Sequence, residues 1–405
     1  MSLVLKSSIY DEISRARNIT DRLFVQVFPE ALYDRPIPER HRLVFYTGHL
    51  DAFDWNIVGN RTMGHAPISR ELDTLFAAGI DPPPGQLPQD TPSDWPNSFE
   101  IRRYVSQVRS NLDRLVHQAP ETSLRMVIEH RLMHAETLIY LIHNLPYSRR
   151  LTRMRGVYSD TESPSVHSVR IPAGVATLGK TRDAGFGWDN EYDLHSRKVE
   201  AFAISRYKVT NHQYLRFVNE GGSAPHYWVQ RNGVWRYRGY HGEVPLPRDF
   251  PVFVSYEQAE AYARWAGKSL PTEEQFHRAA FGTPSSFERH YPWGNAFPRA
   301  EHGNFDFSYF DQVPVSANPY GDSAFGVSQL VGNGWEWTST PFAAFPGFQP
   351  DPLYPGYSAD FFDGKHRVVK GASSATDHVF LRRSFRNWFR DHYCYAYTTF
   401  RLVEN

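Results

Sequence analysis

The hydrophobic pattern of this chain changes its period once, and that change bounds every fold it can adopt. Up to about residue 146, apolar residues recur at three- and four-residue steps in four stretches, roughly 4–28, 40–59, 98–118 and 122–144, the spacing of amphipathic helices. From about Ser163 the chain breaks into short apolar pieces such as VHSVRIPAGVATLG, VEAFAISRYKVTNHQY and HRVVKGASSA, punctuated by Gly, Pro, Asn and Asp, which read as short strands and turns. Only Asn211 to Val218, Ser255 to Trp265 and the following GKSLPTEEQFHRAA look helical there. At 405 residues the chain exceeds what one hydrophobic core usually organises. The expectation is an α+β protein of two domains, a helical bundle over 1–150 and a loop-rich domain over 151–405, joined through RRLTRMRGVYSDTESPS. Within the first, the prolines of DPPPGQLPQDTPSDWPNS cannot continue a helix. Four helices with one long crossover make a four-helix bundle.

Charge and cysteine content narrow the function. With 44 basic and 44 acidic residues the formal charge is zero, so nothing suggests a nucleic-acid surface or an anionic-membrane footprint, and small-molecule partners are expected. The single cysteine, Cys394, excludes an intrachain disulfide and a C-x-x-C zinc site and fits a reducing compartment. The start, MSLVLKSSIYDEISRARN, lacks the apolar core of a signal peptide, which makes the cytoplasm the expected location.

Chemistry is concentrated in EHRLMHAE, residues 129–136. On a helix, positions i and i+4 share a face with Cβ atoms about 5–6 Å apart, so His130 and His134 either bind one ion together or pack. A catalytic iron or zinc site usually takes three protein ligands and keeps positions open. His49, in FYTGHLDAFDWN of the second helix, is the natural third, because cofactor sites in bundles are built from facing helices. Glu136 is either an orienting partner or a solvated helix residue.

The second half closely resembles the formylglycine-generating-enzyme and sulfatase-modifying-factor domain, a variant of the C-type lectin fold. The resemblance is carried by VHSVRIPAGVATLG, FGWDNE, ISRYKVTNHQYLRFV, PVFVSYEQAEAYARWAGKSLPTEEQFHRAA, YPWGN, GVSQLVGNGWEWTST, RVVKGASS and TTFRLV, in family order from about residue 166. Formylglycine formation in that family needs a pair of copper-binding cysteines, which a chain with Cys394 alone lacks. Joined to a helical bundle bearing H-x-x-x-H-x-E, the domain resembles the ergothioneine sulfoxide synthases and the ovothiol and selenoneine synthases, whose bundle is of the DinB-like type. In those enzymes a ferrous ion held by three histidines uses dioxygen to join a thiol or selenol to an imidazole carbon of a histidine derivative. The resemblance implies Fe(2+) on His49, His130 and His134, although three imidazoles bind zinc as readily.

It also implies a pocket for hercynine, which is Nα-trimethylhistidine. DPLYPGYSADFF matches the family's Y-x-x-Y segment, making Tyr354 the proton donor and Tyr357 a substrate contact; the alternative is that both pack the domain. SFRNWFRDHY matches its R-N-W segment, so Asn387 hydrogen-bonds the substrate carboxylate and Trp388 offers a π face to the trimethylammonium. Met133 stands where the family often has an imidazole-contacting glutamine. Phe389 stands where γ-glutamylcysteine users carry an acid, and the crossover GIDPPPGQ lacks their basic residue. Both departures argue against γ-glutamylcysteine as donor, because its buried charges would lack partners. Free cysteine and a selenium-bearing sugar remain open, with Arg386 and Arg390 either serving a donor carboxylate or solvating the surface. Glu336 in GNGWEWTST reads as structural, held by a partner or a cation. The alternatives to a synthase are a thiol dioxygenase or other iron oxidase, and a non-catalytic binding protein on the same folds.

Overall fold

A computed structural model describes residues 8–78, 87–151 and 161–404. The chain divides into two compact units, Met1–Arg153 and Met154–Asn405, the first helical and the second built on small sheets, an α+β layout. The crossover stretch GIDPPPGQ lies outside the described residues, as does most of the linker that the sequence places between the domains.

The first unit holds helices α1 (Ile9–Phe24), α2 (Leu43–Asp54), α3 (Arg70–Ala78), α4 (Ser98–Leu115) and α5 (Glu121–Asn144). Four coincide with the periodic stretches; α3 has no counterpart in that reading. Local chemistry sets the ends. Ser8 and Asp11 form a reciprocal capping box at α1, and Asn97 and Glu100 do the same at α4. Pro146 disfavours a helical Leu145, and α5 stops at Asn144. Beyond Asp54 the second helix continues as a π-helix, Trp55–Thr62.

Helix α2 packs against α3, α4 and α5 at once and buries every side chain except Thr47. A helix covered on all sides must satisfy its charges internally. Accordingly, Arg131 Nη2 of α5 reaches Asp54 Oδ2 at 2.6 Å and Asp51 Oδ1 at 3.1 Å. Arg109 of α4 pairs with the same Asp51 at 2.9 Å and with Asp21 of α1 at 2.7 and 2.8 Å. One chain of ion pairs therefore ties four helices together.

The second unit contains β1 (Ser168–Ile171), β2 (Gly174–Leu178), β3 (His195–Val199), β4 (Phe202–Ser205), β5 (Trp228–Arg231), β6 (Val234–Arg238), β7 (Glu243–Pro245), β8 (Trp335–Pro341), β9 (His366–Lys370), β10 (Asn387–Arg390), β11 (Thr398–Thr399) and β12 (Val403–Glu404). They form sheets ordered β1-β4-β12, β10-β9-β8-β11, β2-β3 and β5-β6-β7. Helices α6 (Asn211–Asn219), α7 (Tyr256–Trp265) and α8 (Glu273–Phe281) each begin with the same device, Thr210/Gln213, Ser255/Gln258 and Thr272/Gln275 capping boxes. Glu336 of β8 is fully buried between Lys208 Nζ at 2.7 Å and Arg401 Nη2 at 2.7 Å. Its partner is thus a pair of cations from remote strand ends. Among the described residues no helix is long and apolar enough to cross a membrane.

Candidate metal centre and aromatic pocket

Helices α2 and α5 bring His49, His130 and His134 together, with one ring nitrogen from each lying within 4.8 Å of the others. Ring centroids are 5.1 Å apart for His49 and His130, 4.8 Å for His49 and His134 and 4.5 Å for His130 and His134. Apolar rings hold the set in place. Phe53 stacks on His130 at 3.5 Å and Phe45 on His49 at 4.5 Å. Both phenylalanines lie one turn from His49 on α2, so the helix repeat supplies ligand and support from one face.

The protonation pattern suits a cation. Nδ1–H of His49 donates to the Phe76 carbonyl at 2.7 Å, since a carbonyl only accepts. Its Nε2 is left as a lone pair, 3.2 Å from Nε2 of His134. Imidazole–metal bonds of about 2.1 Å meeting at about 90–110° place cis donor nitrogens about 3.0–3.4 Å apart. Burial pushes the His49 imidazole down to about 4 and holds His130 and His134 well below the ordinary histidine range. Three neutral nitrogen donors therefore converge, and Nδ1 of His134 is buried with no hydrogen-bond partner among the described residues. The residues present fit one divalent ion bound by imidazole. Met133 lies half-buried on α5 immediately before His134. A second group in the other unit, Asp306, Asp377 and His378, is instead knit together by its own bonds, with His378 donating to Asp306 from its backbone at 2.6 Å and from Nδ1 at 3.0 Å.

In the second unit the Y-x-x-Y segment is a pair of overlapping turns, with Tyr354 N–H donating to Asp351 O and Tyr357 N–H to Tyr354 O, both at 3.1 Å. The turns set the two phenol rings 5.7 Å apart. Tyr357 stacks on Trp188 at 3.9 Å and meets Trp388 edge-on at 5.4 Å. Phe342 covers one face of Trp388 at 4.1 Å, and Phe361 approaches at 5.5 Å. Tyr357, Phe361 and the half-buried Trp388 thus form a ring-lined corner suited to a cation without N–H groups. Asn387 folds its Oδ1 onto the Trp388 N–H at 2.8 Å, which leaves Nδ2 to donate.

Strand geometry separates Phe389 from this corner. Successive side chains of β10 point to opposite faces, so Asn387 shares with Phe389 the face opposite Trp388, and Phe389 stacks on Tyr393 at 5.5 Å near Trp337. Arg386 is buried too, paired twice with Glu273 at 3.0 and 3.1 Å and lying over Phe345 at 3.9 Å. It clamps the 342–345 loop from beneath, by a further bond to Ala343 O at 3.0 Å, rather than offering a free cation. Arg390 is exposed. Sequence reasoning missed Trp188, Phe342 and Phe361 as pocket walls and Phe76 as the partner of His49. Trp188 could have been found in FGWDNE and Phe361 in DPLYPGYSADFF; Phe342 and Phe76 carry no local signal.

Residues 155–405 match the family described as the sulfatase-modifying factor enzyme 1-like domain. Nearly the whole chain is similar to hercynine oxygenase of Mycolicibacterium smegmatis, with 32% identity covering 95% of this chain and 96% of that protein. Hercynine oxygenase of Mycolicibacterium thermoresistibile is 33% identical over 95% of this chain and 91% of its own. Ergothioneine biosynthesis protein 1 of Schizosaccharomyces pombe is 28% identical over 92% of this chain and 53% of its own.

Proposed function

Because the chain belongs to the sulfatase-modifying factor enzyme 1-like family and, within it, to the ergothioneine synthases, we propose that it is a non-haem Fe(II)- and O2-dependent synthase acting on hercynine. The reaction joins the hercynine imidazole to a thiol or selenol donor through a C–S or C–Se bond, in ergothioneine or selenoneine biosynthesis. The observation that carries this reading is the convergence of three neutral imidazoles, His49, His130 and His134, with no carboxylate among them. Ferrous iron, when bound, supplies dioxygen activation and an electrophilic seat for the donor's thiolate or selenolate.

The protein's own residues bind, orient and move protons. Tyr357, Phe361 and Trp388 receive the trimethylammonium, whose positive charge is attracted by their π faces. Tyr354 delivers a proton from its hydroxyl, a positioned general acid. Met133, beside a ligand on α5, gives the substrate imidazole an apolar contact. Phe389, at the position after Trp388, carries no charge for a glutamyl head group, which favours a donor other than γ-glutamylcysteine.

The deciding experiment loads anaerobically purified protein with Fe(II), then adds hercynine, air and separately cysteine, γ-glutamylcysteine or a selenosugar. Mass spectrometry should show hercynine coupled to cysteine or the selenosugar; no hercynine consumed with any donor would refute the reading. The His130→Ala variant should lose iron while keeping its helical circular dichroism. An unchanged iron content would remove the site from these helices.

A further inference from the structure

We infer that helix α3 is part of the metal centre, with the backbone carbonyl of Phe76 positioning His49 as a ligand and Gly48 admitting that carbonyl to hydrogen-bond distance. The inference rests on the metal reading above and deepens it. Phe76 stands on α3 (Arg70–Ala78). Its carbonyl takes the Nδ1–H of His49 at 2.7 Å. That bond holds the proton on Nδ1, fixes the plane of the ring and leaves Nε2 as the donor toward His134, 3.2 Å away. Partners of this kind orient a metal-bound imidazole and raise its basicity.

The carbonyl can come this close because residue 48 has no side chain. A Cβ there would lie 2.5 Å from Cδ2, Cε2 and Cζ of Phe76. The Phe76 ring has nowhere to retreat: it is fully buried, with Tyr104 at 5.9 Å and Trp95 at 6.5 Å. Helix α3 is also pinned on its own face by Tyr104 Oη–H donating to Asp73 Oδ1 at 2.6 Å. An added methyl at 48 must therefore displace α3 and lengthen the His49–Phe76 bond. Gly48 and Phe76 are positioning residues, acting through His49 and touching no substrate.

The test titrates metal-free full-length protein with Co(II), reading the visible ligand-field bands, and with Fe(II). Gly48→Ala should weaken binding by about 10–100-fold with helical circular dichroism unchanged. Gly48→Ala combined with Phe76→Ala removes the clash while keeping the backbone carbonyl, and should recover most of the lost affinity. Loss of affinity by any route other than the Phe76 contact would show no such rescue. Should either variant fail to fold, 15N-histidine NMR of the wild-type Zn(II) form decides. His49 should show a hydrogen-bonded Nδ1–H and a metallated Nε2, and metallation through Nδ1 would overturn the inference. Equal affinity of wild type and Gly48→Ala would overturn it while leaving the metal reading intact. A wild type that takes up no metal would sink both.

Discussion

At the scale of single residues, two side chains carry separable parts of the proposed chemistry. Tyr354→Phe removes one oxygen and the transferable proton. It should leave hercynine affinity nearly unchanged while slowing coupling by about 10²–10⁴-fold, the usual worth of a positioned acid; undiminished coupling in the mass-spectrometric assay would strip Tyr354 of its role. Trp388→Leu removes the π face beside Tyr357 and Phe361. Calorimetry should show hercynine binding weakened by about 0.5–2 kcal/mol, with binding of unmethylated histidine changed less, because only the quaternary ammonium lacks N–H donors. The histidine pair was legible in the sequence because i, i+4 is a local geometry, and His49 because it falls in another bundle helix. The places of Phe389 and Arg386 were not. Phe389 follows Trp388 directly, yet strand alternation turns it to Tyr393, and the charge of Arg386 is consumed by Glu273 from α8.

At the scale of elements, four of the bundle's helices were readable from their period, whereas α3 was hidden. Its described residues, Arg70–Ala78, are few and neighbour the proline-rich crossover in sequence, so no long periodic stretch marks it. Its structure rests on Phe76 filling the space above Gly48, a contact between different helices. The ion pairs linking α1, α2, α4 and α5 are equally remote in sequence. Removing Arg131 would leave Asp54 and Asp51 buried side by side, with Arg109 reaching only Asp51. Arg131→Met should therefore cost about 3–5 kcal/mol, read as a lowered urea midpoint, and adding Asp54→Leu should recover part of it, since a buried pair can be replaced by apolar packing. An unshifted midpoint for Arg131→Met would show that the network holds nothing.

At the scale of the whole molecule, buried imidazoles make stability depend on pH with a definite sign. Burial pushes His226 down to about 4, from an ordinary 6.5, and holds His277 well below that value. Above about 6.5 both folded and unfolded chains keep these rings neutral; on acidification the unfolded chain takes up protons first. Stability is therefore greatest above that point and falls as pH drops toward 4, by at most about 1.4 kcal/mol per pH unit for each such histidine. Denaturation midpoints at pH 7 and pH 5 measure this, and a higher midpoint at pH 5 would contradict it. The sequence by itself determined the change from helices to short strands and the candidate ligands, because periodicity and i, i+4 spacing act within a turn or two of chain. Only the tertiary structure decided which carbonyl orients His49, which rings wall Trp388 and which cations neutralise Asp51, Asp54 and Glu336. Those contacts join residues from different elements, and nothing in the local pattern on either side specifies the other.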